Sequence, residues 1–280
     1  MQDLNSINWT PIGRGDESYY FAGRFDGNGH TITSLNITGS KEYVGLFGSA
    51  VNATISNLAL TEVNVNAYYD ADPIHAAALC GYSASTTITN CSVSGTVYAK
   101  SSKTGSGLAV FVGMIVGECG RTTTISSCHA TGTVTGEMTR AWNVYAGGIV
   151  GAGYGTIIGC FFNGQVIAKG YEGSYAGGIA GITNGSGCLT IEKCVVVGTI
   201  TATYGTRSAQ AIVSSWNGYN STVRQCYYNA TTTSSNTTGT STTSSNLRSE
   251  SWLTSTLGWD FDSVWAFVEG NDYPVLKAFN

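Results

Sequence analysis

Apolar residues recur along the chain in a fixed order. Five times a cysteine stands three residues after a β-branched residue, in the pairs Ile88/Cys91, Ile125/Cys128, Ile157/Cys160, Ile191/Cys194 and Val223/Cys226. Upstream, Ile55/Leu58 and Ile32/Leu35 extend the same pattern. A period of about 23 to 37 residues is typical of stacked supersecondary units, none of which buries its apolar face alone. The pattern therefore indicates a repeat protein.

A second pattern precedes these pairs in the same phase. It consists of small apolar residues and glycine, and we interpret each copy as a short strand, at 43–48, 76–81, 112–117, 146–151, 176–181 and, in degenerate form, 209–214. Alternating Ile, Val, Thr and Ser follow each block, interrupted by Gly and Asn, which is typical of strands and turns. With three short strands per unit and no crossover helix, the pattern predicts an all-β fold, a parallel β-helix of about seven coils.

The cysteine column has three possible explanations: packing in the core, disulfides or a metal site. Parallel strands of successive coils lie about 4.8 Å apart, so equivalent residues form a ladder, and free cysteine packs as a small buried hydrophobe. Disulfides between neighbours in the ladder are disfavoured because parallel side chains point the same way. No CxxC pair is present, so we predict no metal site and no cofactor.

The chain divides into three regions. We assign 1–230 to the β-helix, 231–246 to a Ser/Thr-rich loop or linker that cannot bury a core, and 247–280 to a small C-terminal cap packed on the solenoid. A helix is predicted over 247–257, with Gly258 as its stop. We expect Trp252, Trp259 and Trp265 to cover the open end, because unpaired strand edges promote aggregation.

Composition narrows the functional classes. Charged residues make up 11 % of the chain, against about 25 % in typical soluble proteins. The net charge of −4 gives no basic stripe, so we expect no nucleic-acid partner. No apolar run reaches the length of about 20 residues that spans a bilayer, so we expect no membrane insertion. The profile favours an exported monomer from which a signal peptide has been removed, located outside the cell or on a bacterial surface.

Both ends of the chain and the glycine blocks resemble one family. The segments at 9–13 and 21–32, the blocks at 43–48, 112–117, 146–151 and 176–181, and the closing segments at 258–265 and 273–277 are similar to bacterial surface proteins with GLUG repeats. Such repeats occur in non-catalytic parts of IgA-specific metallopeptidases, in filamentous-haemagglutinin-like adhesins and in surface proteins of gut Bacteroidetes. The resemblance implies a secreted right-handed β-helix and transfers no catalytic residue, since His-Glu-x-x-His is absent.

Catalytic candidates are few. Polysaccharide-degrading enzymes on β-helices need clustered carboxylates, and this chain offers one close pair within the repeats, Asp70 and Asp72, with His75 nearby. These residues are candidates for a cation or sugar site. Cys128 and His129 are adjacent, and adjacent strand residues face opposite sides, so they do not form a nucleophile pair.

Binding has a better candidate surface. The connections that lead into each glycine block carry aromatic residues, which would form a ridge along one edge: Tyr68, Tyr69, Tyr98, Trp142, Tyr145, Tyr171, Tyr175 and Tyr204. The opposite turn carries a smaller set, Tyr154, Trp216 and Tyr219. Aromatic faces beside polar donors suit glycans and protein epitopes, although the same rings also serve packing. We therefore predict an adhesin-like module without catalysis that binds glycan or a host surface protein; a polysaccharide lyase or glycoside hydrolase and a passive stalk remain the alternatives.

Overall fold

The fold is a parallel β-solenoid of about six turns, one fewer than the sequence indicated. The structure is a computed structural model that describes residues 2–3, 8–13, 19–70, 73–104, 109–140, 142–183, 188–214, 221–234 and 238–279. Each complete turn contains strands that belong to three stacks, here called A, B and C in chain order. The predicted all-β, parallel β-helical class is confirmed.

Stack A is a six-stranded parallel sheet. Its strands are Tyr43–Val44, Ile74–Ala76, Ala109–Gly113, Asn143–Gly147, Gly173–Gly177 and Thr206–Gln210. From the second strand on, each strand follows a connection from stack C of the preceding turn. We call the described residues of these connections, 69–70 and 73, 102–104, 139–140 and 142, 170–172, and 204–205, the edge loops. Every pairing within stack A is in register, so equivalent residues of successive turns form ladders.

Stacks B and C belong to one sheet that bends around the core. Stack B comprises Cys80–Ala84, Thr87–Thr89, Val116–Cys119, Thr124–Ser126, Val150–Gly153, Gly155–Ile158, Ala180–Thr183, Leu189–Glu192 and Ser221–Arg224. Stack C comprises Asn36–Gly39, Ser92–Ser101, His129–Met138, Phe161–Lys169, Val195–Thr203, Tyr227–Thr232 and Thr240–Ser241. In the first turns the bend is continuous strand, at Phe21–Thr33 and Phe47–Tyr68, and Gln2–Asp3 pairs with the former.

The glycine blocks form corners rather than strands. In the block at 146–151, Gly147 ends a stack A strand and Val150 begins a stack B strand. A Cβ on Gly147 would lie 1.8 Å from the Val150 carbonyl oxygen, so the corner is too tight for any side chain. The second corner lies directly before each cysteine, where residues such as Asn90 (φ 53°) and Ser127 (φ 49°) are left-handed and separate stack B from stack C.

The predicted isoleucine and cysteine columns form the core. Ile55, Ile88, Ile125, Ile157 and Ile191 pair in register, and the cysteines that follow the last four of them are buried and free. The upstream extension to Ile32 and Leu35 is wrong. Phe25 is the residue that pairs with Ile55, and Ile32 pairs with Leu60 beyond a bulge between Asp26 and His30.

The described residues of the Ser/Thr-rich segment, 231–234 and 238–246, lie at the C-terminal end of the solenoid. Their hydroxyls accept hydrogen bonds from backbone N–H groups of the last turn: Ala202 donates to Thr233, Ala209 to Ser234 and Val213 to Thr238. Thr240–Ser241 then adds a short parallel strand to stack C. The segment needs no apolar core of its own because it satisfies strand edges that the solenoid leaves unpaired.

The C-terminal region packs on the side of the solenoid. Helix α2 (Glu250–Leu257) forms within the predicted interval 247–257, and a separate helix α1 (Ser244–Leu247) precedes it. Gly258 adopts the left-handed C-cap (φ 67°). A small hairpin, Trp265–Ala266 with Val275–Leu276, and a 3₁₀ turn at Lys277–Phe279 follow. Among the described residues, neither helix has the length and apolar character of a membrane span.

The tryptophans of this cap cover the outer face of stack C instead of the open end. The Trp259 ring lies 4.3 Å from that of Trp265, and Trp259 packs against Phe161 of stack C. The Trp259 indole donates to the Lys193 carbonyl at 3.0 Å. Outward residues of three turns, among them His129, are therefore buried beneath the cap.

Candidate functional site

Two exposed tyrosines on successive edge loops define the candidate site. Tyr171 is 59 % exposed and Tyr204 is 70 % exposed, which is unusual for residues of this size. They line a cavity of about 530 Å³ together with Glu137, Met138, Thr139, Lys169, Gly170 and Gly205. Both loops connect the same two stacks in neighbouring turns, so the in-register ladders of the β-helix hold the rings on one edge.

The charged side of the cavity comes from one outward column of stack C. The strand register places Lys100 beside Glu137 and Glu137 beside Lys169. The Lys100 ammonium lies 2.8 Å from Glu137 Oε1, and the Tyr98 hydroxyl donates to Glu137 Oε2 at 3.1 Å. Both carboxylate oxygens of Glu137 therefore already have donors within the protein.

This network keeps Glu137 ionised. The hydrogen bond from Lys100 lowers the pKa of the Glu137 carboxyl; burial opposes this shift, and the Tyr98 hydroxyl and the charges of Lys100 and Lys169 reinforce it. Partial burial, together with the adjacent carboxylate, raises the pKa of the Tyr98 phenol. Glu137 is thus a fixed anion, not a carboxylic acid that donates a proton near neutral pH.

Lys169 differs from Lys100 in its surroundings. It follows Ala168 at the end of a stack C strand and lines the cavity, half-buried. Within the described part of the chain its ammonium makes no ion pair or hydrogen bond. Because Glu137 is paired with Lys100, Lys169 is the cationic group that the cavity offers to a ligand.

The other tyrosines of the proposed ridge are distributed over different surroundings. Tyr145 and Tyr175 project from stack A and are 9 % and 2 % exposed. They are the last two members of a column of stacked rings in which neighbouring centroids lie 4.9 to 5.4 Å apart, formed by Tyr43, His75, Phe111, Tyr145 and Tyr175. These two rings pack against the solenoid and are not part of an exposed surface.

The remaining tyrosines and the tryptophan of the ridge are less exposed than Tyr171 and Tyr204 and less buried than Tyr175. Tyr68 is 44 % exposed, and its hydroxyl donates to Asp70. Tyr69 and Trp142 are half-buried in their edge loops, and Tyr98 is half-buried on the outer face of stack C. The structure therefore brings Tyr171 and Tyr204 together at the cavity and connects Tyr98 to it through Glu137.

The smaller set on the opposite turn is described in part. Tyr154 is half-buried, and the Arg121 guanidinium lies over its ring, 5.8 Å from the centroid. Trp216 and Tyr219 lie outside the described residues.

The candidate carboxylate site on the loop near His75 has a structural explanation. Asp70 accepts hydrogen bonds from the Ser102 backbone N–H at 2.6 Å and from the Tyr68, Ser101 and Ser102 hydroxyls. Burial alone would raise the pKa of Asp70, but these hydrogen bonds lower it to about 2. Asp70 therefore fixes the loop, and Asp72 lies outside the described residues.

His75 is turned away from that loop. Its ring is sandwiched between the rings of Tyr43 and Phe111, and its Nδ1 lies 2.9 Å from Glu118 Oε2. The histidine is 6 % exposed, so both it and its carboxylate partner belong to the packing between stacks A and B.

The cysteine column lies in the core of the solenoid. Cys128 points into the core and His129 lies under the cap on the opposite side of the strand, as strand alternation predicted. Burial raises the pKa of the Cys80 and Cys119 thiols to about 12. Among the described residues, no three His, Cys, Asp or Glu side chains are grouped so that they would hold a metal ion.

The sequence alone did not identify Glu137 and Lys169 as site residues, nor the ion pair between Lys100 and Glu137. These residues are scattered in the sequence, and they form one column only after Gly95, Gly132, Gly164 and Gly198 are aligned. Aligning the sequence on this glycine column would have identified them, because Lys100, Glu137 and Lys169 each lie five positions after a glycine of the column.

Comparisons with known proteins agree on the fold. Residues 72–98 match the family described as the GLUG motif, which confirms the resemblance to GLUG-repeat proteins. The crystal structure of "a putative immunoglobulin A1 protease" from Bacteroides ovatus aligns with a TM-score of 0.69 at 20 % sequence identity, over 99 % of this chain and 83 % of that one. No curated protein matches the sequence.

Proposed function

We propose that the chain is a secreted or cell-surface binding module of a bacterium, that it acts as a monomer, and that it recognises glycan at the cavity between Tyr171 and Tyr204. The proposal is based on the exposed rings of Tyr171 and Tyr204, which lie on adjacent turns beside a cavity of about 530 Å³. Aromatic faces with polar groups at their edges suit the apolar faces and hydroxyls of sugars. Sites on loops that a rigid scaffold positions are a common arrangement for binding.

The cavity supports binding better than cleavage. Glycosidic hydrolysis uses two carboxyl groups about 5 to 10 Å apart, one of them protonated. Among the described residues that line the cavity, Glu137 is the one carboxylate, and Lys100 holds it ionised. A host surface protein is the second class of partner. The GLUG motif and the similarity to the Bacteroides protein support the surface location.

A glycan array tests the proposal. The purified chain is applied beside the double variant Tyr171→Ala/Tyr204→Ala and beside Tyr19→Ala, which removes a tyrosine that is 66 % exposed in the first turn. Circular dichroism establishes that all three proteins fold. We expect the double variant alone to lose binding. A wild-type protein that binds no glycan, or a double variant that binds as well as wild type, would contradict the proposal.

A further inference from the structure

Positively charged side chains outnumber negatively charged ones around the cavity. The stack C column on its charged side contains two cations and one anion, Lys100, Lys169 and Glu137, and the anion is already paired with Lys100 at 2.8 Å. Beside the lining residues in sequence, Arg140 and Arg207 are exposed, against one exposed carboxylate, Glu172. This local excess of positive charge contrasts with the chain's net charge of −4.

We propose that the cavity selects an anionic sugar, one that carries a carboxylate or sulfate group, with Lys169 as its counter-ion. The inference rests on the proposed function and names the ligand class of the same site. In this arrangement the rings of Tyr171 and Tyr204 contact the sugar, and the Lys169 ammonium pairs with its negative group.

The ion pair between Lys100 and Glu137 leaves Lys169 available to an anionic sugar. If Glu137 had no other partner, its carboxylate would neutralise Lys169, which lies directly beside it in the next strand. Lys100 and the Tyr98 hydroxyl instead occupy both oxygens of Glu137. Lys169 therefore keeps its donors for the ligand. A half-buried ammonium next to a cavity is screened less by water and salt than one on an open surface.

A lysine does not by itself distinguish carboxylate from sulfate. Its ammonium acts as a compact point charge with rotatable donors, whereas a planar guanidinium matches a carboxylate in two-point geometry. The experiment therefore includes both anions as separate probes.

The test measures the affinity of the purified chain for three oligosaccharides of equal length: a neutral one, one that contains uronate residues and one that carries sulfate groups. The variants are Lys169→Gln, which removes the charge, and Lys169→Arg, which keeps it. Lys193→Gln is the matched control, because Lys193 lies beside the cap, near Gly258. Tyr171→Ala/Tyr204→Ala reports on the cavity itself.

We expect at least one anionic probe to bind about tenfold more tightly than the neutral probe at low salt, and this advantage to shrink as ionic strength rises. Lys169→Gln is expected to remove the advantage, while Lys169→Arg and Lys193→Gln retain it. The double tyrosine variant is expected to lose every probe.

Two other outcomes would overturn the inference and are distinguishable. If the neutral probe binds as tightly as both anionic probes, and Lys169→Gln binds all three like wild type, the charge selection is wrong while glycan binding at the cavity stands. If none of the probes binds and the wider array is also negative, the proposed function fails together with the inference.

Discussion

The Thr238 side chain and the Val213 backbone form a reciprocal pair of hydrogen bonds. The Val213 N–H donates to Thr238 Oγ1, and the Thr238 hydroxyl donates to the Val213 carbonyl oxygen, each at 3.0 Å. Val213 is 1 % exposed at the end of the last turn. A single threonine of the Ser/Thr-rich segment thus satisfies both backbone polar groups of one buried residue at this end of the solenoid.

Replacing this threonine by its apolar isostere tests the closure of that end. Thr238→Val leaves the Val213 N–H and carbonyl without their partners, so we expect the free energy of unfolding to fall by about 1 to 3 kcal/mol. Thr240→Val is the control, because Thr240 is exposed and its hydroxyl makes no hydrogen bond in the described part of the chain. Urea unfolding measures both variants. Equal stability of the two would mean that the segment does not protect the solenoid end.

The left-handed corner before the cysteine column gives a second prediction. Asn90 has φ 53°, and its Nδ2 donates to Asn57 Oδ1 at 2.7 Å. Asn90→Ala loses this hydrogen bond and places an alanine in the left-handed region, so we expect a loss of about 2 to 3 kcal/mol. Asn90→Gly loses the hydrogen bond without the steric cost and is expected to lose about 1 kcal/mol. An alanine variant at least as stable as the glycine variant would show that the corner can relax out of the left-handed conformation.

The buried histidine under the cap predicts how stability depends on pH. Burial lowers the pKa of His129 from 6.5 to about 4. Between these two values the unfolded chain binds a proton that the folded chain does not, so stability falls as pH decreases from about 6.5 to about 4. The contribution of this one group is roughly 3 kcal/mol.

Variants isolate that contribution. We expect His129→Gln to remove roughly 3 kcal/mol of the stability difference between pH 7 and pH 4. His30→Gln, at an exposed histidine of the first turn, is expected to keep the wild-type dependence. The measurement is chemical unfolding at a series of pH values. If His129→Gln loses as much stability on acidification as wild type, the histidine titrates normally and the cap does not exclude water from it.

The register of the repeats was predictable because the isoleucine and cysteine positions recur at a similar spacing along the sequence. Ile125 and Ile157 fall in one ladder since each coil returns the chain to the same position, and the paired Cys128 and Cys160 follow. The first turn was not predictable in this way. There Phe25, which lies outside the repeated apolar pattern, pairs with Ile55, and Ile32 pairs with Leu60, so the apolar spacing pointed to the wrong residue.

The site was only partly predictable, for a related reason. Sequence shows that Tyr145, Tyr171, Tyr175 and Tyr204 recur near the edge loops, but it does not show which rings face stack B across a corner and which face solvent. The two that lie within stack A are stacked and buried, and the two in the loops are exposed. Composition likewise showed that 231–246 has no core, while its role depends on which backbone groups its hydroxyls meet.

Glycan recognition at the cavity is tested by isothermal titration calorimetry of wild type and of Tyr171→Ala/Tyr204→Ala with a glycan that binds on the array, with Tyr19→Ala as control. We predict that the double variant binds at least tenfold more weakly, a loss of about 1.4 kcal/mol or more, while Tyr19→Ala binds like wild type. Unchanged affinity in a folded double variant would contradict glycan recognition at this cavity.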